Sequence, residues 1–116
     1  MGLTIYHNPR CSKSRQTLAL IEASGVSPKI VLYLDNPLSG PDIKILYAQL
    51  GFDDVRAMMR KGEADYKTLG LKNESRPEAL IEAMAAHPKL IERPIVSNGS
   101  VAVIGRPPEN VQALLT

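Results

Sequence analysis

Five consecutive apolar residues, Ile30-Val31-Leu32-Tyr33-Leu34, narrow the choice of architecture more than any other stretch of this chain. An unbroken run of this composition is expected where a strand is covered on both faces. Upstream, Leu3-Thr4-Ile5-Tyr6 also has strand composition, and Asn8-Pro9 is a breaker. From Ser12 to about Ala23, Leu18, Leu20 and Ile21 supply one buried face of a helix, which Gly25 closes. Strand, helix and strand at this spacing form a βαβ unit with parallel strands and a right-handed crossover.

Asp35-Asn36-Pro37-Leu38-Ser39-Gly40-Pro41 interrupts that pattern, and the chain turns helical. Ile43, Leu46, Tyr47 and Leu50 recur at helical spacing; Val55, Met58 and Met59 continue on a short helix; Leu80, Ile81 and Met84 mark another after Arg76-Pro77. The methionines read as core filler. His87-Pro88 ends the last of these helices, with His87 packing or capping there. Further on, Pro94-Ile95-Val96-Ser97 and Ser100-Val101-Ala102-Val103-Ile104 flank Asn98-Gly99, the signature of a hairpin with a type I′ turn. Pro108 then opens a helix carrying Val111, Leu114 and Leu115.

In order, the elements are βαβ, three or so helices, then ββα. With the middle helices removed, this is the thioredoxin plan: an α/β fold with a mixed sheet, a cysteine at the N-terminus of the first helix and a proline opening the third strand. The expectation is a single thioredoxin-like domain over 1–116 with a helical insertion over 37–90. Arg93-Pro94 stands where that fold carries a cis-proline facing the cysteine.

The chain has one cysteine, Cys11, in Tyr6-His7-Asn8-Pro9-Arg10-Cys11-Ser12-Lys13-Ser14-Arg15. Only the thiolate is a good nucleophile, and a free thiol near pKa ~8.5 is mostly protonated at neutral pH. A helix N-terminus lowers that value, as do cations; His7, Arg10 and Arg15 are close in sequence. The free N–H groups of the first helical turn also bind oxyanions. A lone cysteine is commonly a small buried hydrophobe, but the polar run from Cys11 to Arg15 does not read as core. One cysteine makes no internal disulfide, which fits a reducing compartment.

With 14 basic and 12 acidic residues the net charge is +2, and no block of Lys or Arg suggests nucleic-acid binding. The N-terminus has no charged n-region followed by a long apolar stretch, and nothing approaches the length of a membrane span. Met1-Gly2 begins like an acylation signal, but Tyr6 occupies the position that needs Ser or Thr. A soluble cytoplasmic protein is expected, monomeric, with neither nucleic acid nor membrane as a partner.

Several motifs together resemble the ArsC family of glutaredoxin-coupled arsenate reductases. They are Tyr6-His7-Asn8-Pro9 followed by Cys11 and Ser14-Arg15, Val31-Leu32-Tyr33-Leu34, Val55-Arg56-Ala57-Met58-Met59-Arg60-Lys61, His87-Pro88, Arg93-Pro94-Ile95-Val96 and Arg106-Pro107. The version with Arg10, Ser12 and Lys13 around the cysteine is similar to the short YfgD-like branch. The resemblance implies that Cys11 attacks arsenate while Arg60, Arg93 and Arg106 hold the oxyanion, a role suited to planar guanidinium forks. It also makes His7 the residue that tunes Cys11. Ser14 either donates its hydroxyl to the sulfur or is a first-turn hydroxyl with no role; Arg15 and Pro94 are supporting residues. With no resolving thiol on the chain, the Cys11 adduct must be discharged from outside. The resemblance implies glutathione as co-substrate and glutaredoxin as partner, with no metal and no bound cofactor.

Two other readings share the fold. A regulator similar to Spx would bind RNA polymerase, but such proteins carry a Cys-x-x-Cys switch where this chain has Ser14, and the three arginines are surplus to it. A glutaredoxin-like monothiol transferase would use the arginines to hold the carboxylates of glutathione.

Overall fold

Leu3 and Ile5 are 5% and 0% exposed because β1 (Thr4–Tyr6) runs through the interior of the sheet. The computed structural model describes residues 2–115, so Met1 of the rejected acylation signal and the terminal Thr116 lie outside the described residues. Four strands are ordered β2-β1-β3-β4. The outer β2 (Lys29–Val31) is parallel to β1, whereas β3 (Ile95–Ser97) is antiparallel to β1 and to β4 (Ala102–Ile104). Ile5 is in register with Ile30 on one side and Val96 on the other.

Helices cover both faces, as the thioredoxin-like plan requires. On one face, Leu3, Ile5 and Val96 form a cluster with Ile21 of α1 (Ser12–Ala23) and Val111 of the closing 3₁₀ helix (Pro108–Leu114). Full burial of a side chain such as Ile5 contributes roughly 1.5–3 kcal/mol. On the other face, Ile95 and Ala102 join a larger cluster supplied by the helices between β2 and β3. Those are α2 (Gly40–Leu50), α3 (Ala64–Thr68) and α4 (Pro77–Ala86), with 3₁₀ turns at Val55–Met58, Leu71–Asn73 and Pro88–Leu90. Ser39 starts α2 with a capping box: its hydroxyl accepts from the Asp42 N–H, and the Asp42 carboxylate accepts from the Ser39 N–H. Among the described residues no helix is long and apolar enough to cross a membrane.

Four local expectations are corrected. The apolar run at 30–34 is not covered on both faces: β2 is the sheet edge, and Ile30 and Leu34 are 46% and 37% exposed. The hairpin is not a two-residue type I′ turn. Ser97 pairs with Ala102, leaving a four-residue loop in which only Gly99 has positive φ, and the Asn98 carboxamide oxygen accepts from the N–H groups of Ser100 and Val101. The segment after Pro108 is a 3₁₀ helix. Met59 does not continue a helix; it is extended and bridged to Ile91.

That bridge matters for the site. The Arg60 N–H donates to Leu90 O at 2.7 Å and the Glu92 N–H to Met58 O at 2.8 Å, which ties the segment bearing Arg60 to the one leading into Arg93. The Gly105 N–H donates to Pro94 O at 2.9 Å, which brings Arg106 beside Arg93. Three arginines far apart in sequence are thus aligned by backbone pairing. The Arg93–Pro94 peptide is cis, as its place in the fold predicts, and so is Arg106–Pro107.

Candidate active site

Cys11 is the N-cap of α1, in extended conformation, and the N–H groups of Lys13 and Ser14 influence its sulfur without closing a full capping hydrogen bond. The loop before it is closed by hydrogen bonds from the Cys11 N–H to Asn8 O and from the Arg10 N–H to Asn8 Oδ1, both 3.0 Å. The Arg15 guanidinium donates to Pro9 O at 2.9 Å, which buttresses the same loop from the helix.

Burial pushes the Cys11 thiol up, but the Ser14 N–H, the charge of Arg93, the Lys13 N–H and the charge of Arg106 together outweigh it, leaving the pKa below its ordinary value. The helix start therefore acts as the sequence suggests, through backbone N–H groups. The cations come from elsewhere than expected. Arg106 places Nη1 3.9 Å from the sulfur from 95 residues away, whereas Arg10 is exposed and Arg15 is engaged with the loop.

The three arginines differ in how they are held. Arg93 is largely enclosed, with Nη1 3.8 Å from Glu92, and its Nε is a buried donor without a partner among the described residues. Arg60 is ion-paired to Glu63 at 3.0 Å, with both side chains about three-quarters buried. Arg106 is exposed and reaches the sulfur. An enclosed guanidinium N–H without a partner is uncommon, and the charge of this guanidinium is among the causes that lower the Cys11 pKa.

His7 and Ser14 face each other rather than the sulfur. Both are buried, and Nδ1 of His7 lies 2.6 Å from Oγ of Ser14, which also accepts the Asn8 N–H at 3.1 Å. Burial lowers the His7 pKa, the positive charge of Arg15 lowers it further, and Glu22 opposes both weakly. The imidazole is thus neutral near pH 7 and shares a hydrogen bond with the Ser14 hydroxyl through Nδ1. A neutral His7 brings no positive charge to the thiolate, and the Ser14 hydroxyl, left open between serving the sulfur and having no role, is engaged by His7. Ser14 acts on Cys11 through its backbone N–H.

One residue escaped the sequence reading. Tyr33, taken as part of an apolar strand, is 1% exposed and lies in the electrostatic field of Arg93, Arg60, Cys11 and Glu92. A tyrosine is the one polar group in the 30–34 run, and that was the available signal. His87 caps the end of α4 and is 3.6 Å from Asp65, a structural placement as expected. Among the described residues no three His, Cys, Asp or Glu side chains converge to hold a metal ion.

Comparison with known proteins agrees with this arrangement. Residues 6–114 match the model of the ArsC family. The chain is 51% identical to a protein of Haemophilus influenzae named arsenate reductase, over 99% of this chain and 100% of that one. It is 52% identical to the uncharacterised protein YfgD of Escherichia coli, over 92% and 91% of the two chains. Its fold superimposes on an arsenate reductase structure from Vibrio cholerae with a TM-score of 0.94 and 54% identity, covering 97% of each chain. With a thiol at the start of α1, arginines brought in by backbone pairing and near full-length similarity all in agreement, this chain belongs to the ArsC family.

Proposed function

We propose that this protein reduces arsenate to arsenite with Cys11 as nucleophile and an external thiol as reductant. The observation that carries this reading is Arg106 Nη1 3.9 Å from the Cys11 sulfur, with the enclosed, unpartnered guanidinium of Arg93 also lowering the pKa of that thiol. Such a cradle suits a tetrahedral oxyanion, because fixed guanidinium donors neutralise its charge while the thiolate attacks its centre.

The Cys11 thiolate attacks arsenic; an S–As bond forms, an As–O bond breaks, and the departing oxygen leaves as water after taking up protons. Arsenic is still As(V). A glutathione thiolate then attacks the Cys11 sulfur, forming an S–S bond. The S–As bond breaks with its electron pair on arsenic, which leaves as arsenite. Cys11 now carries a mixed disulfide, and the chain has no second cysteine to resolve it. A glutaredoxin thiolate takes the glutathionyl group and frees the Cys11 thiolate. A reducing cytoplasm supplies both thiols.

The test is arsenate-dependent oxidation of NADPH coupled through glutathione, glutaredoxin and glutathione reductase, with arsenite measured directly. Turnover that disappears in Cys11→Ala is the expected result. Full turnover in Cys11→Ala sinks the mechanism, and reduction of a mixed disulfide with no arsenite formed favours a thiol transferase instead.

A further inference from the structure

We propose that Asn110 is a positioning residue for Arg106: by gathering the carbonyls of the turn that carries Arg106, it keeps that guanidinium beside the Cys11 sulfur. The kinetic part of the assignment rests on the oxyanion-reducing role proposed above, whereas the part that concerns the thiol does not.

Arg106 stands in the short turn between β4 and the closing 3₁₀ helix, with Nη1 3.9 Å from the sulfur. Its side chain is exposed and joins no ion pair among the described residues, so its aim depends on the backbone from which it springs. That backbone has few donors of its own, because Pro107 and Pro108 carry no N–H. The donors come instead from outside the turn. The Asn110 carboxamide Nδ2 donates to Ile104 O at 3.1 Å and to Arg106 O at 3.2 Å, and the Asn110 backbone N–H donates to Pro107 O at 3.0 Å. The one carbonyl of this stretch that Asn110 leaves, Gly105 O, accepts the Thr17 hydroxyl of α1 at 3.4 Å. One residue thus holds the carbonyls on both sides of Gly105 and on both sides of the Arg106–Pro107 peptide.

The residue type fits this work. A carboxamide NH₂ carries two donors on a short stem, so it can serve two carbonyls at once; a carboxylate in its place would offer none and a hydroxyl only one. Asn110 is exposed, and carbonyls that lose it are reached by water, so the clamp contributes more to where the turn sits than to the stability of the fold. Position is what matters at the sulfur, since the attraction between a guanidinium and a thiolate weakens as they separate.

The experiment follows Cys11 alkylation by iodoacetamide against pH, without anion, in the wild type, Asn110→Ala, Arg106→Ala and the double variant. Asn110→Ala is expected to raise the thiol midpoint by at least about 0.3 pH unit, an about twofold loss of thiolate below the midpoint, with a melting temperature near that of the wild type. Once Arg106 is already alanine, Asn110→Ala should raise it no further. In the coupled assay, kcat/KM for arsenate should fall at least about twofold in Asn110→Ala. Should Asn110→Ala melt well below the wild type, Asn110→Ser, which keeps one donor, carries the same comparison. A folded variant with an unchanged midpoint overturns the assignment. So does an equal rise in the Arg106→Ala background, because Asn110 would then act on the sulfur by another route. A midpoint that moves as expected in a protein that does not reduce arsenate upholds the positioning of Arg106 and overturns the proposed function alone.

Discussion

Oγ of Ser14 lies 2.6 Å from Nδ1 of His7 and accepts the Asn8 N–H at 3.1 Å, so one hydroxyl joins the start of α1 to the loop that precedes it. None of these bonds involves the Cys11 sulfur. Ser14→Ala leaves a buried imidazole nitrogen and a backbone N–H unpaired, a loss of about 1–3 kcal/mol in stability. The backbone N–H groups that act on the sulfur remain, so the thiol midpoint stays near the wild-type value. Urea unfolding and alkylation against pH measure the two. His7→Ala and the double variant close a cycle in which the losses are less than additive. Unchanged stability with a raised thiol midpoint would show that the hydroxyl serves Cys11 after all.

The same pair predicts an acid limit. His7 titrates below its ordinary 6.5 in the folded chain, chiefly through burial and next through Arg15. As pH falls below 6.5, the unfolded chain therefore takes up this proton first. The His7 contribution to stability is present above that value and declines as pH falls toward the folded-state pKa. His7→Gln lacks this titration. The urea midpoint should fall less in the variant than in the wild type between about pH 7.5 and about pH 5.5. Equal falls would contradict a neutral buried His7.

Arg93 and Arg106 act directly on the sulfur, so removing either raises the thiol midpoint. Arg60 is held by Glu63, and Arg60→Ala should move it less. All three replacements should lower kcat/KM for arsenate, by about 10²-fold where a fixed donor to the reacting anion is lost. Alkylation against pH, run beside the coupled assay, separates activation of the thiol from binding of the anion. An Arg93→Ala variant with an unshifted thiol midpoint would contradict the electrostatic account of Cys11.

What could be read in advance follows from how local each signal is. The order of long elements was legible because α1, α2 and α4 carry helical periodicity over 10 or more residues. α3, with five residues, and the 3₁₀ turns are too short to display a period. The apolar run at 30–34 misled because composition reports burial, whereas the position of a strand within the sheet is set by pairing partners far along the chain. The polarity of Ser14 also misled: it is 0% exposed, because its hydroxyl is used by His7. Cys11 was legible from its place at a helix start, whereas Arg93 and Arg106 were found by motif resemblance, since nothing local to either reports that the fold brings it to the thiol.

Gly105 is a position where a single methyl group should disturb the site without altering a charge. A Cβ there would stand 2.4 Å from Oγ1 of Thr17 on α1 and 2.9 Å from Cγ of Pro94, both too close for any real contact. Gly105→Ala must therefore push the turn bearing Arg106 away from α1 and Pro94, at a cost of about 1–3 kcal/mol. Activity should fall with stability, because α1 carries Cys11. Thr17→Ala removes the nearest obstruction, so the double variant should be more stable than the sum of the two single losses predicts. Strict additivity in urea unfolding would show that Thr17 is not the atom that resists.

Arg56 belongs to the same sequence motif as Arg60 yet does different work. Its Nε donates to the Tyr66 hydroxyl at 3.1 Å, and its Nη2 donates to Leu71 O at 2.7 Å and to Glu74 O. The guanidinium thus collects the carbonyls of the turn at Leu71–Asn73 and fastens them to α3. It is about four-fifths buried on its side chain, and its contact with Asp54, 3.9 Å away, is marginal beside these bonds. A lysine cannot replace it, since one ammonium lacks the planar fork that reaches a hydroxyl and two carbonyls at once. Arg56→Lys should cost about 1–3 kcal/mol by leaving those carbonyls and the phenol short of donors. The side chain approaches none of the groups placed around Cys11, so kcat/KM per folded molecule should stay within about twofold of the wild type, well inside the tenfold that 1.4 kcal/mol represents. Thermal unfolding and the coupled assay on the same preparation check both halves, and a variant that is fully stable but inactive would place Arg56 among the anion-binding arginines instead.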